Sequence, residues 1–177
     1  MRTNYFSAVL LSLLPMAFLG SITFAPQSVK SQNNFVLLGS GKEAALGYTI
    51  RTNRANARLN TINFFVKLPK SKAIAEIQIQ YPQGFGNVFS PDNIRVIDRN
   101  NRKEVEIKEA SIDREVGTVR FLFKEPIPSS NNREIEIISS GVSNPSQSGM
   151  YRIDLQALGT EANPLFQFIG QWLVNIN

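Results

Sequence analysis

Residues 62–81 read INFFVKLPKSKAIAEIQIQY. In the first part Ile62, Phe64, Val66 and Leu68 recur every second position. In the second, Ile77, Ile79 and Tyr81 fall on one side of a strand, with Gln78 and Gln80 on the other. Successive side chains of a strand point to opposite faces, so strict alternation over a short run predicts a half-buried strand. A helix would need apolar residues at intervals of three and four, and neither run supplies them.

The same period of two continues along the chain. NIRVI (93–97) is a further run, and KEVEIK (103–108) sets Val105 and Ile107 between Glu104 and Glu106. TVRFLF (118–123) aligns Val119, Phe121 and Phe123, and REIEII (133–138) alternates Glu with Ile. MYRIDLQAL (150–158) aligns Tyr151, Ile153, Leu155 and Ala157, and FQFIGQWLVNI (166–176) aligns Phe166, Phe168, Trp172 and Val174. Between these runs stand YPQGFG, DRNN, EPIPSSNN and SNPSQSG, rich in the residues that favour turns. About seven to nine short strands separated by turns predict an all-β, antiparallel sandwich of immunoglobulin-like kind over residues 46–177. Residues 41–60, GKEAALGYTIRTNRANARLN, leave three options open: a short helix, a strand at GYTI, or an irregular loop.

The beginning of the chain has another pattern. Arg2 precedes an apolar stretch from about Ala8 to Leu19, and Thr23-Phe24-Ala25 offers small residues at a cleavage site. That layout predicts a secretory signal peptide over residues 1–25. The apolar stretch is shorter than the ~20 residues a spanning helix needs, and Pro15 interrupts it. With no cysteine to carry a lipid, the expected product is a soluble exported chain with no stable membrane span after cleavage. It would reside in the periplasm, the outer envelope or outside the cell. Removing 25 of 177 residues leaves 152, enough for one core without disulfides. Residues 26–45 are read as a loose mature N-terminus.

Three segments elsewhere are similar to one known family. KLPKSKAIAEIQIQYPQG, VRFLFKEPIPSSNNREIEI and the ending GVSNPSQSGMYRIDLQALGTEANPLFQFIGQWLVNIN resemble the cyanobacterial domain-of-unknown-function 2808 family. Its pattern joins a strand ending in Leu-Pro, a Pro-x-Pro turn and a last hairpin. Asn144-Pro145, Gly149, Tyr151, Ala157, Phe168 and Gly170 fall on that hairpin. The resemblance covers roughly residues 60–177. It implies a β-sandwich in a bacterial envelope or outside the cell, and it brings no activity.

Composition removes several chemistries. With no histidine and no cysteine, there is no Ser-His-Asp triad, no cysteine nucleophile and no histidine-ligated zinc or copper. Gly-x-Ser-x-Gly is missing, and no serine stands three positions before a lysine. GSGK (39–42) lacks the earlier glycine of a phosphate loop, and Glu43 takes the place of its Ser/Thr, so it reads as a turn. Asp98, Asn100, Glu106 and Glu109 have the spacing of a calcium loop. Arg102 and Lys103 stand where a ligand and a glycine belong, so a turn into a strand is expected instead. Neither a metal nor a cofactor is expected.

Two carboxylate pairs, Glu104 with Glu106 and Glu134 with Glu136, leave one enzymatic alternative: a carboxylate-only hydrolase acting on envelope glycans. Their alternation with Val and Ile places them on solvated faces, where nothing separates their pKa values. Trp172 with Phe166 and Phe168 could form a sugar-stacking platform, but spacing two favours core. The ending is therefore read as two strands whose Tyr151, Ile153, Leu155, Phe166, Phe168 and Trp172 fill the sandwich. Gly170 would mark a bulge or a close approach. Asp154 is expected to face outward. An edge strand at the end of the chain, donated to a neighbour, is a further possibility.

Charge is uneven. Residues 26–72 hold eight basic residues against Glu43, a net of +7, while residues 73–177 hold ten basic and thirteen acidic, a net of −3. Arg51, Arg54, Arg58, Lys67, Lys70 and Lys72 are the candidate contacts for an anionic envelope polymer, with another envelope protein as the alternative partner. Arg51, Arg54 and Arg58 would share one face of any helix there. Nucleic acid is not expected, because aromatic and basic residues do not interleave. The expectation is a non-enzymatic exported binding or structural module.

Overall fold

The alternating runs become strands whose apolar sides meet. The computed structural model describes residues 45–177, so the signal-peptide segment, most of the 26–45 segment and the Gly39–Lys42 turn lie outside the described residues. The chain forms an immunoglobulin-like β-sandwich of two antiparallel five-stranded sheets, with no α-helix among the described residues. The strands are β1 (Tyr48–Ile50), β2 (Asn60–Lys67), β3 (Ile74–Gln80), β4 (Ile94–Asp98) and β5 (Lys103–Glu104). They continue with β6 (Ile107–Asp113), β7 (Thr118–Ile127), β8 (Glu134–Val142), β9 (Gly149–Gly159) and β10 (Gln167–Ile176). One sheet runs β1-β2-β8-β4-β5 and the other β10-β9-β3-β7-β6.

Ile62, Phe64, Val66, Ile135 and Ile137 of the first sheet face Ile77, Ile79, Phe121, Ile153, Leu155 and Trp172 of the second, all essentially without exposure. Phe64 and Trp172 meet with ring centroids 5.0 Å apart. Burial of this apolar surface is the main favourable term in folding such a chain.

Ten strands exceed the expected seven to nine, for a specific reason. KEVEIK is not one strand. Val105 still donates its N–H to Val96 in the first sheet (2.8 Å), but Lys124 in the second donates to Glu106 (2.9 Å). The chain changes sheets between these residues, so one alternating run becomes β5 and β6. Across the sandwich the segment 45–50 does the same. Leu46 donates to Gln171 of β10 (2.8 Å), and Tyr48–Ile50 then pair with β2. Both open sides of the sandwich are thus closed by a strand that switches sheets, which covers edges that would otherwise invite pairing. The terminal strand β10 pairs along β9 within its own chain and takes Ala45 on its other edge.

The last strand corrects a second expectation. Phe166 and Phe168 do not fill the sandwich. The register of β10 against β9 slips between Phe168 and Gly170, at the glycine suspected of a bulge. One extra residue reverses the side-chain parity. Trp172 therefore lies opposite inward Ile153, whereas Phe168 lies opposite Gln156 on the outer face. Phe166 is outside as well, with the Arg120 guanidinium 5.4 Å from its ring centre.

Candidate functional site

The six cations singled out in the sequence are not one patch. Arg51, Arg54 and Arg58 belong to the loop that follows β1 and precedes Asn60 at the start of β2. Lys67 closes that strand, and Lys70 and Lys72 follow it. Eight residues of strand at roughly 3.3 Å each put the two groups about 23 Å apart, at opposite ends of the sandwich.

No helix aligns the arginines. The 51–59 loop is irregular, with Asn56 and Leu59 in the left-handed region at φ 57° and φ 52°. Its shape comes from two buried asparagines 84 residues apart in sequence. Asn60 Nδ2 donates to the Thr52 carbonyl (2.8 Å) and to Asn144 Oδ1 (2.5 Å), while Asn60 Oδ1 accepts from the Thr52 and Thr61 N–H groups. Asn144 Nδ2 donates to the Thr52 and Arg54 carbonyls at 2.9 and 2.8 Å. Every hydrogen of both amides is therefore used, as burial of a polar group requires.

Backbone bonds complete the anchorage. Ala55 donates to Asn177, Asn177 to Asn53, Asn56 to Pro145 and Asn144 to Ala57, all between 2.6 and 2.9 Å. The loop backbone is fixed while Arg51, Arg54, Arg58 and Leu59 stay exposed. No acidic residue occurs in 51–59, and among the described residues none of these three arginines has a carboxylate within ion-pair distance. A left-handed leucine costs on the order of 1–2 kcal/mol, a cost the two asparagines offset.

The other end is different in kind. Lys72 is paired with Glu161 at 2.6 Å, Arg99 with Glu134 at 2.8 Å and Lys124 with Glu106 at 2.6 Å. The Lys72 hydrogen bond, with help from Glu161's own backbone N–H, holds the Glu161 carboxyl below its ordinary range.

Of the two carboxylate pairs of the enzymatic alternative, Glu104 and Glu106 line a groove of about 320 Å³ between β5 and β7, and Glu134 and Glu136 do not. Its Glu106 is engaged by Lys124, Asp98 lies 3.7 Å from Arg133, and Glu104 accepts from Arg95 through both oxygens. That guanidinium pushes the Glu104 pKa down, opposite to what a general acid needs. Among the described residues no three Asp, Glu, His or Cys side chains converge as a metal-holding group. Asp154 faces outward and accepts from Arg152 at 2.8 Å. Trp172 is core: its Nε1 donates to the Gly47 and Phe65 carbonyls, tying β10 to the crossing segment.

Sequence reasoning missed Asn60 and Leu59. It held Asn144 only as part of a turn motif. The available signal was Asn-Pro in a turn, which gives no hint of the partner 84 residues away.

A family model described as "Protein of unknown function (DUF2808)" matches residues 35–176. No curated protein sequence gives a significant match. Among solved structures, BslA, a bacterial hydrophobin, aligns at 12% identity and TM-score 0.49, over 75% of this chain and 92% of its own. The collagen-binding domain of a Staphylococcus aureus adhesin aligns at 12% identity and TM-score 0.38, over 66% and 87%. An immunoglobulin-like protein from Nocardia farcinica aligns at 9% and 0.43, over 75% and 98%. The fold assignment itself rests on the strand order and register described above.

Proposed function

This chain belongs to the family described as "Protein of unknown function (DUF2808)", and from that premise we propose that it is an exported, non-enzymatic binding module of the cell envelope. Its contact with an anionic partner is made by Arg51, Arg54 and Arg58 of the loop before β2. One observation carries the reading: three arginines without carboxylate partners stand on a backbone that buried Asn60 and Asn144 hold in place. A fixed backbone lowers the ordering cost of binding, and charges not already neutralised keep their full attraction for an anion. Lys67, Lys70 and Lys72 are assigned no share in this contact, since they lie at the far end and Lys72 is neutralised by Glu161. Export rests on the signal-like residues 1–25.

The test uses the chain in the form the producing cell exports, starting from the full reading frame. It is sedimented with isolated envelope fractions at ~0.1 M and at roughly 0.5 M salt, the latter shortening the screening length to a few ångströms. Binding should fall at the higher salt and in the triple variant Arg51→Gln, Arg54→Gln, Arg58→Gln. A triple variant that sediments like the parent would remove the loop from the contact.

A further inference from the structure

Resting on that reading, we propose that the partner of the Arg51–Leu59 loop is a lipid bilayer with anionic headgroups, into which the Leu59 side chain inserts. Leu59 is 73% exposed, next to Arg58, in a left-handed conformation at φ 52°. Leucine seldom adopts that region, and backbone strain of this kind persists only where the surroundings impose it. Here the next residue imposes it: Asn60 is buried and hydrogen-bonded to both sides of the loop, so Leu59 is turned away from the core. Met150, the second residue of strand β9, adds a second apolar side chain, 69% exposed, at the same end of the sandwich, where it pairs with Asn175 two residues before the loop-bonded Asn177.

An anionic polysaccharide would satisfy the three arginines and leave Leu59 in water. A bilayer takes both groups. Arginines lie at the level of the phosphates, with their stems along the apolar boundary, and a leucine beside them enters the acyl region. Charge complementarity and the apolar tip together therefore select the lipid surface.

The exported chain is sedimented with phosphatidylcholine vesicles carrying roughly a third phosphatidylglycerol, and separately tested for binding to soluble polygalacturonate. Leu59→Gly suits the left-handed backbone, so it folds at least as well as the parent. It should weaken vesicle partition about fivefold or more and leave polygalacturonate binding unchanged. Leu59→Trp should be quenched by lipids brominated in the acyl chain. Comparison with the parent cancels any contribution from residues 1–25.

Equal vesicle partition of Leu59→Gly and the parent would overturn the lipid inference, as would an unquenched Leu59→Trp or binding to polygalacturonate but not to vesicles. Each of these leaves the arginine loop as an anion-binding site. The Arg51/Arg54/Arg58 triple variant separates the two levels: if it binds vesicles and polygalacturonate like the parent, the proposed function fails as well.

Discussion

At the end of the sandwich where β2 begins, three arginines stand on a loop tied down by buried amides. At the end where β2 finishes, Lys72, Arg99 and Lys124 stand beside carboxylates. Asn60 and Asn144 lie inside the first arrangement and fix its backbone through carbonyls of Thr52 and Arg54. The second is surface: Lys72–Glu161, Arg99–Glu134 and Lys124–Glu106 pair in solvent, where such pairs contribute little. Of the six cations counted together in the sequence, only Lys72 has a carboxylate within ion-pair distance among the described residues, and the three arginines are set apart by a backbone that buried amides hold in place. A count of charge is not a site until pairing and backbone are both known.

The comparison breaks most readily at the buried amides. Asn144→Ala leaves one Asn60 amide hydrogen without a partner and removes one of the two donors at each of the Thr52 and Arg54 carbonyls, so unfolding in urea should show a loss of about 1–3 kcal/mol. Anion binding should fall in step, because the loop loses its shape. Asn100 is the counterpart at the other end. It bridges two turns, donating to Asn132 at 3.0 Å and accepting from Glu134 N–H at 3.1 Å, but in solvent. Asn100→Ala should cost under about 1 kcal/mol in the same measurement and leave anion binding as it was. Equal losses from the two asparagines would erase the distinction between the ends.

Glu161→Gln sharpens the charge side of the comparison. It releases Lys72 without moving the arginine loop. If fixed backbone matters as well as free charge, sedimentation with anionic vesicles should hardly change; a gain equal to that of an added arginine would show that charge alone decides. The smallest expected effect is the pH dependence of the same pair. The folded pKa of Glu161 lies below its ordinary 4.5, so its contribution is present above that value and is lost as pH falls through the folded one. Thermal unfolding from neutral pH to about pH 3 should therefore decline slightly less steeply in Glu161→Gln than in the parent.

Within one strand a second contrast teaches the same lesson about locality. Trp172 and Phe168 differ by four positions and share a parity in the sequence, yet one is fully buried and the other faces outward with Gln156. Alternation is a local signal, so the strands themselves and most of their inner faces were legible. Ile62, Phe64 and Val66, or Ile77 and Ile79, needed no knowledge of the rest of the chain. Gly170 hinted at a bulge, but which side of it keeps the core parity depends on the pairing with β9. The same limit applies to KEVEIK, whose uninterrupted alternation conceals a change of sheet at Val105–Glu106.

The sequence by itself determined most of the strands, the all-β class, the absence of histidine and cysteine chemistry and the concentration of positive charge before residue 73. These follow from side-chain period and composition, which are properties of neighbours along the chain. Only the tertiary structure decided that the arginines and lysines lie at opposite ends, that Asn60 finds Asn144, and that Leu59 is held out beside three cations without carboxylate partners. Those facts depend on register and on contacts between residues far apart in sequence, which close only when the two sheets pack.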